Sequence, residues 1–116
     1  MTLDAQHVTL LCLGARDQEL NEASTTLSQK LTGDPANDNA IQQELQDISA
    51  ERFAIAARRG AIISGGGFTA PTSAAVTDLQ QAITNLHTAV MGSANAAALI
   101  GLTTALLNQY SAADSR

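Results

Sequence analysis

Isoleucines at positions 41, 48, 55 and 62 recur at every seventh residue, with Leu45, Arg52 and Arg59 four residues after the first three. A seven-residue step keeps one apolar row along a helix, with the intermediate row beside it. The spacing predicts a helix over residues 40–63 whose coiled-coil-like seam carries two guanidinium groups. The same period appears earlier, at Leu13, Leu20 and Leu27, and Leu31 joins their stripe. Arg16, Glu19, Glu22 and Lys30 then fall on the opposite, solvent-facing side of an amphipathic helix. Residues 1–15 fit either helix, with Leu3 and Leu10 extending the frame, or a short strand over 7–13; helix is favoured, although Gly14 disfavours it. Gly33, Asp34 and Pro35 read as a stop. Asn37, Asp38 and Asn39 offer N-caps for the next helix, and Asn39 with Gln42 has capping-box spacing.

So short a connection makes the first two helices antiparallel neighbours. A turn centred near Ala36 puts Leu31 beside Ile41, Leu27 beside Leu45, Leu13 beside Arg59 and Asp17 beside Ile55. Asp17 then lies within one turn of Arg52 and of Arg59, and a structural ion pair among Asp17, Arg52 and Arg59 is expected. The alternative, anion recognition by Arg52, Arg58 and Arg59, lacks the glycine-rich loop or helix N-terminus that completes a phosphate site.

Gly65, Gly66 and Gly67 end the second helix and begin a flexible loop over 65–71, with Phe68 tucked into the bundle end. No lysine follows these glycines and no strand precedes them, so neither nucleotide-binding fingerprint is present. Thr72 or Ser73 caps a third helix, along which Val76, Leu79, Ile83, Leu86 and Val90 keep a three-to-four spacing. Gly92 and Ser93 mark either a break or a bend. In the last helix, over 94–110, Leu99, Leu102 and Leu106 form one stripe and Ile100 and Leu107 another. Between them Ser93, Ala97, Gly101 and Ala105 recur at four-residue steps, a groove that lets a second helix backbone approach closely. No charge interrupts this helix, so it is expected to be central or covered.

Charge sharpens that expectation. Between Arg59 and Asp114 the sole charged side chain is Asp78. A soluble monomer normally distributes charge over its surface. The neutral half must therefore be covered by the first half, by other copies, by a partner or by lipid. The apolar run 96–102 is too short to span a bilayer. The net charge of −5 argues against nucleic-acid binding, which needs a basic face. With 116 residues the chain can bury a core without disulfide or metal, and its aromatics are limited to Phe53, Phe68 and Tyr110, so that core is aliphatic. Tyr110 is expected to anchor the last helix. The lone Cys12 permits no internal disulfide, and among leucines its thiolate is disfavoured. No basic segment precedes residues 7–13, so no signal peptide is expected, and a cytoplasmic or assembly-embedded location fits better than secretion.

Recognisable chemistry is scarce. His7 and His87 are the two histidines, without zinc-site spacing or a Glu-x-x-His motif. Ser111, His87 and Asp114 could be assembled into a triad, but no nucleophile elbow supports one. Glu19 with Glu22, and Glu44 with Asp47 and Glu51, read as solvated helix surface. Residues 34–39 lack the glycine and terminal glutamate of a calcium loop. The expectation is an all-α chain, a three- to four-helix bundle with an N-terminal antiparallel helical hairpin. Its parts are the hairpin 3–64, the Gly-rich loop 65–71 and a charge-poor helical region 72–110, within one domain. The expected role is a non-catalytic structural or assembly subunit with no cofactor or metal. Its partners are other protein subunits, in a homo-oligomer or larger complex, met through Ser93, Ala97, Leu99, Ile100, Gly101, Leu102, Ala105 and Leu106. A protein-binding adaptor, chaperone or inhibitor is the alternative, a membrane-active helical effector the next, and an enzyme the last.

Overall fold

The computed structural model describes residues 5–68, 70–92 and 94–109, and among these it contains four α-helices and no strand. They are α1 (Ala5–Ser28), α2 (Pro35–Ile63), α3 (Ser73–Met91) and α4 (Ala96–Leu107). The packing is bundle-like, with principal extents of 48 × 24 × 22 Å. No described helix is long and apolar enough to cross a membrane. The isoleucine-bearing α2 is not the hub. α1 packs on all three other helices, α4 also touches α2 and α3, and α2 and α3 do not meet. The aliphatic rows supply the core: Leu13, Leu20 and Leu27; Ile41, Ile48, Ile55 and Ile62; Leu79 and Leu86; Leu99 and Leu106.

α1 and α2 are in contact: Arg52 meets Asp17 at 2.9 Å and Gln6 donates to the Ile62 carbonyl at 3.0 Å. In the turn between them Asn37 donates to the Lys30 carbonyl at 3.1 Å. α1 is helical straight through Gly14. Glycine there costs on the order of 1 kcal/mol of helix propensity, and the complete burial of Leu13, Leu20 and Leu27 along the same helix outweighs that.

Two expected boundaries move. α1 stops at Ser28, short of Gly33, which leaves Leu31 exposed and outside the leucine stripe. α2 starts at Pro35 rather than near residue 40, because proline is preorganised for the first helical turn. The capping asparagines of the sequence reading are inside the helix. Asp34 holds the N-cap position without a side-chain bond, while the Asp38 carboxylate turns back to accept N–H bonds from Thr32 at 2.9 Å and Gly33 at 2.8 Å. The Thr32 N–H foremost holds the Asp38 carboxyl below its ordinary range.

The glycines after α2 end it in a hydrogen-bonded stop. Gly65, at φ 93°, donates to the Ile62 carbonyl at 3.1 Å and Gly66 to that of Ala61 at 2.7 Å, which is the Schellman arrangement. Phe68 is half-buried against the core. Thr72 caps α3, accepting from the Ala75 N–H at 3.0 Å. α3 and α4 are separate helices: Gly92 ends the first, and Asn95 caps the second by accepting from the Ala98 N–H at 2.9 Å.

Candidate functional site

The expected interface divides in two. Leu99 and Leu106 are fully buried in the chain's own core, so they offer nothing to a partner. They follow the apolar stripe that α4 turns toward α1, α2 and α3. Ile100 and Leu102 are half-buried, while Ala97, Gly101 and Ala105 are exposed. A Cβ built on Gly101 meets nothing within 4 Å. Ala97, Gly101 and Ala105, the described members of the small-residue row, therefore form an open surface. Leu102 and Ala105 continue into a groove of about 260 Å³ shared with Asp78, Ala82 and Asn85 of α3. Ser93, Tyr110, Leu3, Ser111 and Asp114 lie outside the described residues.

Of the expected ion-pair residues, Asp17 and Arg52 come together: Arg52 Nε donates to Asp17 Oδ1 at 2.9 Å, and Nη1 donates to Asn21 at 3.0 Å. Arg59 takes another course. It is exposed, and its guanidinium lies over Gly14 rather than against Asp17. Arg58 turns to Glu51 at 2.8 Å. The three arginines therefore do not converge on a common anion.

Arg16, expected in solvent, is fully buried. Its Nη1 approaches Glu51 Oε1 at 3.2 Å, and its Nη2 donates to the Leu107 carbonyl at 2.7 Å. This places a cation on the C-terminal carbonyls of α4, where the helix dipole favours positive charge. Burial pulls the Arg16 pKa down, and Glu51 opposes that pull. Glu44 is also buried, at 5% exposure, and accepts from the Thr104 hydroxyl at 2.9 Å. Its burial raises the carboxyl pKa, with the Thr104 bond acting the other way. Cys12 is half-buried against the core, and burial pushes its thiol up, away from nucleophilic use.

The densest group of chemically competent side chains joins α1 to α3. His87 Nδ1 lies 3.4 Å from Glu19 Oε1 and 3.5 Å from Glu22 Oε2. Glu19 is 5% exposed, and its Oε2 is buried with no hydrogen-bond partner. Burial foremost, then the Glu22 charge, pushes the Glu19 pKa up to about 7, against the opposing pull of His87. Glu22 is half-buried, and His87 is half exposed at the rim. These are the described residues able to hold a metal ion.

In sequence both glutamates look solvated, and His87 has no partner at zinc-site spacing. What linked them was tertiary: α3 lies against α1, which turns His87 toward the Glu19–Glu22 step. The i,i+3 pair of carboxylates was the visible half of that signal. The chain matches no known family, no curated protein and no solved structure.

Proposed function

We propose that this chain is a small helical assembly subunit, built on an antiparallel N-terminal hairpin of α1 and α2, that associates with further copies of itself through α4. The carrying observation is the outer face of α4, where Ala97, Gly101 and Ala105 are exposed, uncharged and open above Gly101. Such a row allows two backbones to approach closely. A second copy is the favoured occupant on grounds of charge. At a net −5, copies meeting through α1 or α2 would oppose acidic surfaces, whereas in α3 and α4 Asp78 is the only charged residue. A single helix face meeting its own copy also satisfies the two-fold symmetry of most homo-oligomers. The Asp17–Arg52 and Gln6–Ile62 contacts between α1 and α2 support the hairpin.

The test is Gly101→Leu. The new side chain meets open space in the isolated chain, so the fold should survive, with an unchanged helical circular dichroism spectrum. Sedimentation should then show weaker association than the parent. Equal association would remove α4 from the interface. A parent that is monomeric at every concentration would favour capture of a different protein partner.

A further inference from the structure

We propose that Glu19 and Glu22 of α1 and His87 of α3 bind a divalent transition-metal ion, with zinc the best fit. Each side chain brings one donor atom, and the three donors lie within 4.8 Å of one another. The Nδ1 of His87 is 3.4 and 3.5 Å from the two carboxylate oxygens. Those spacings are long for N–H···O bonds, which centre near about 2.9 Å. The two separations from His87 correspond to two edges of a tetrahedron around zinc. Bonds of about 2.0–2.1 Å to imidazole nitrogen and carboxylate oxygen place neighbouring donors about 3.4 Å apart.

An acidic step on a helix would not carry this assignment alone. Independently of the spacing, the Glu19 side chain is 6% exposed: its Oε1 faces His87, and its other oxygen, Oε2, is buried with no hydrogen-bond donor among the described residues. Buried carboxylate oxygens are ordinarily satisfied, and an unpaired one is costly. A cation on this carboxylate supplies the missing counter-charge and relieves the repulsion from Glu22. His87, with half its side chain exposed, provides the entry side and leaves the fourth position of the tetrahedron to water. An imidazole with two carboxylates suits zinc or a related first-row ion, whereas magnesium and calcium prefer all-oxygen shells of higher coordination number. The ion would fasten α1 to α3. Binding to the folded state alone would raise stability by mass action. All three donors come from one chain, so the site is independent of self-association.

The full chain, stripped with EDTA and dialysed, should be titrated with zinc chloride by calorimetry and by thermal unfolding. The expected result is one zinc per chain and a melting temperature that rises with zinc. His87→Gln and Glu22→Gln change residues at the open rim and should fold like the parent by circular dichroism. Each should weaken zinc binding by at least about tenfold, while His7→Gln should leave it unchanged. Cobalt should give the intense visible absorption of a four-coordinate site, lost in His87→Gln. No heat and no stabilisation by zinc would overturn the proposal, as would undiminished binding in His87→Gln.

Discussion

Replacing Arg16 should be among the most damaging single changes to this fold. Arg16 is fully buried, with Nη2 on the Leu107 carbonyl at 2.7 Å and Nη1 3.2 Å from Glu51. In Arg16→Ala the charged hydrogen bond is lost, at about 1.5–3 kcal/mol. The vacated stem leaves a cavity at a fully buried position, which adds a comparable penalty. Together the lost hydrogen bond and the cavity give an expected destabilisation of about 3–5 kcal/mol. Arg16→Met keeps most of the stem volume. Glu51 still has Arg58 at 2.8 Å, so no carboxylate is orphaned. The methionine variant should therefore lose only about 1–2 kcal/mol, reflecting the uncapped end of α4. Urea unfolding followed by circular dichroism measures both, with unchanged m-values required for the comparison. If Arg16→Ala falls within about 1 kcal/mol of the parent, Arg16 is not a buried node. If both variants lose equally, the charge matters and the packing argument fails.

Other expectations concern backbone and titration. Gly65→Ala and Gly66→Ala should each cost about 1–2 kcal/mol by thermal unfolding, because Gly65 has φ 93° and a Cβ on Gly66 would lie 2.8 Å from the Ala61 carbonyl oxygen. Gly60→Ala should instead add about 0.5–1 kcal/mol, since its Cβ meets nothing within 4 Å; a loss would mean that this helical turn is packed. Asn95→Ala should cost about 1 kcal/mol, and hydrogen exchange should report the loss at the start of α4, where Asn95 accepts from the Ala98 N–H. Burial raises the Glu44 pKa in the folded state, so the native chain holds that proton to higher pH than the unfolded chain does. Stability must then fall as pH rises above the ordinary glutamate range, and urea midpoints should show Glu44→Gln reducing that slope. An unchanged slope would mean that Glu44 titrates normally.

The seven-residue frame was legible in the sequence, and it located every isoleucine and leucine of the α1 and α2 core rows. What it concealed was a second flank. On α2 the positions four after Ile48 and Ile55, Arg52 and Arg59, face α1. Those three after Ile41 and Ile48, Glu44 and Glu51, meet Thr104 of α4 and the buried Arg16. On α1 the same three-residue step from Leu13 and Leu20 gives Arg16 and Ala23, both fully buried. A helix with two neighbours buries both flanks of its seam, and polar residues there look like solvated surface until the second neighbour is known. The hub position of α1 was equally hidden, because its rows are no more apolar than those of α2. Glu19, Glu22 and His87 were beyond reach for another reason: their meeting depends on how α3 lies on α1, which no local spacing encodes. The openness of Gly101 likewise needed the packed bundle, since the uncharged α4 fitted a buried helix as well as an exposed one.

The central claim is that α4 presents a face meant for another copy. Light scattering of the purified chain over a dilution series tests it most directly. The account predicts a defined mass at a multiple of the 12.0 kDa chain, falling toward the monomer on dilution and sooner for Gly101→Leu. A single 12.0 kDa species at all concentrations would contradict it.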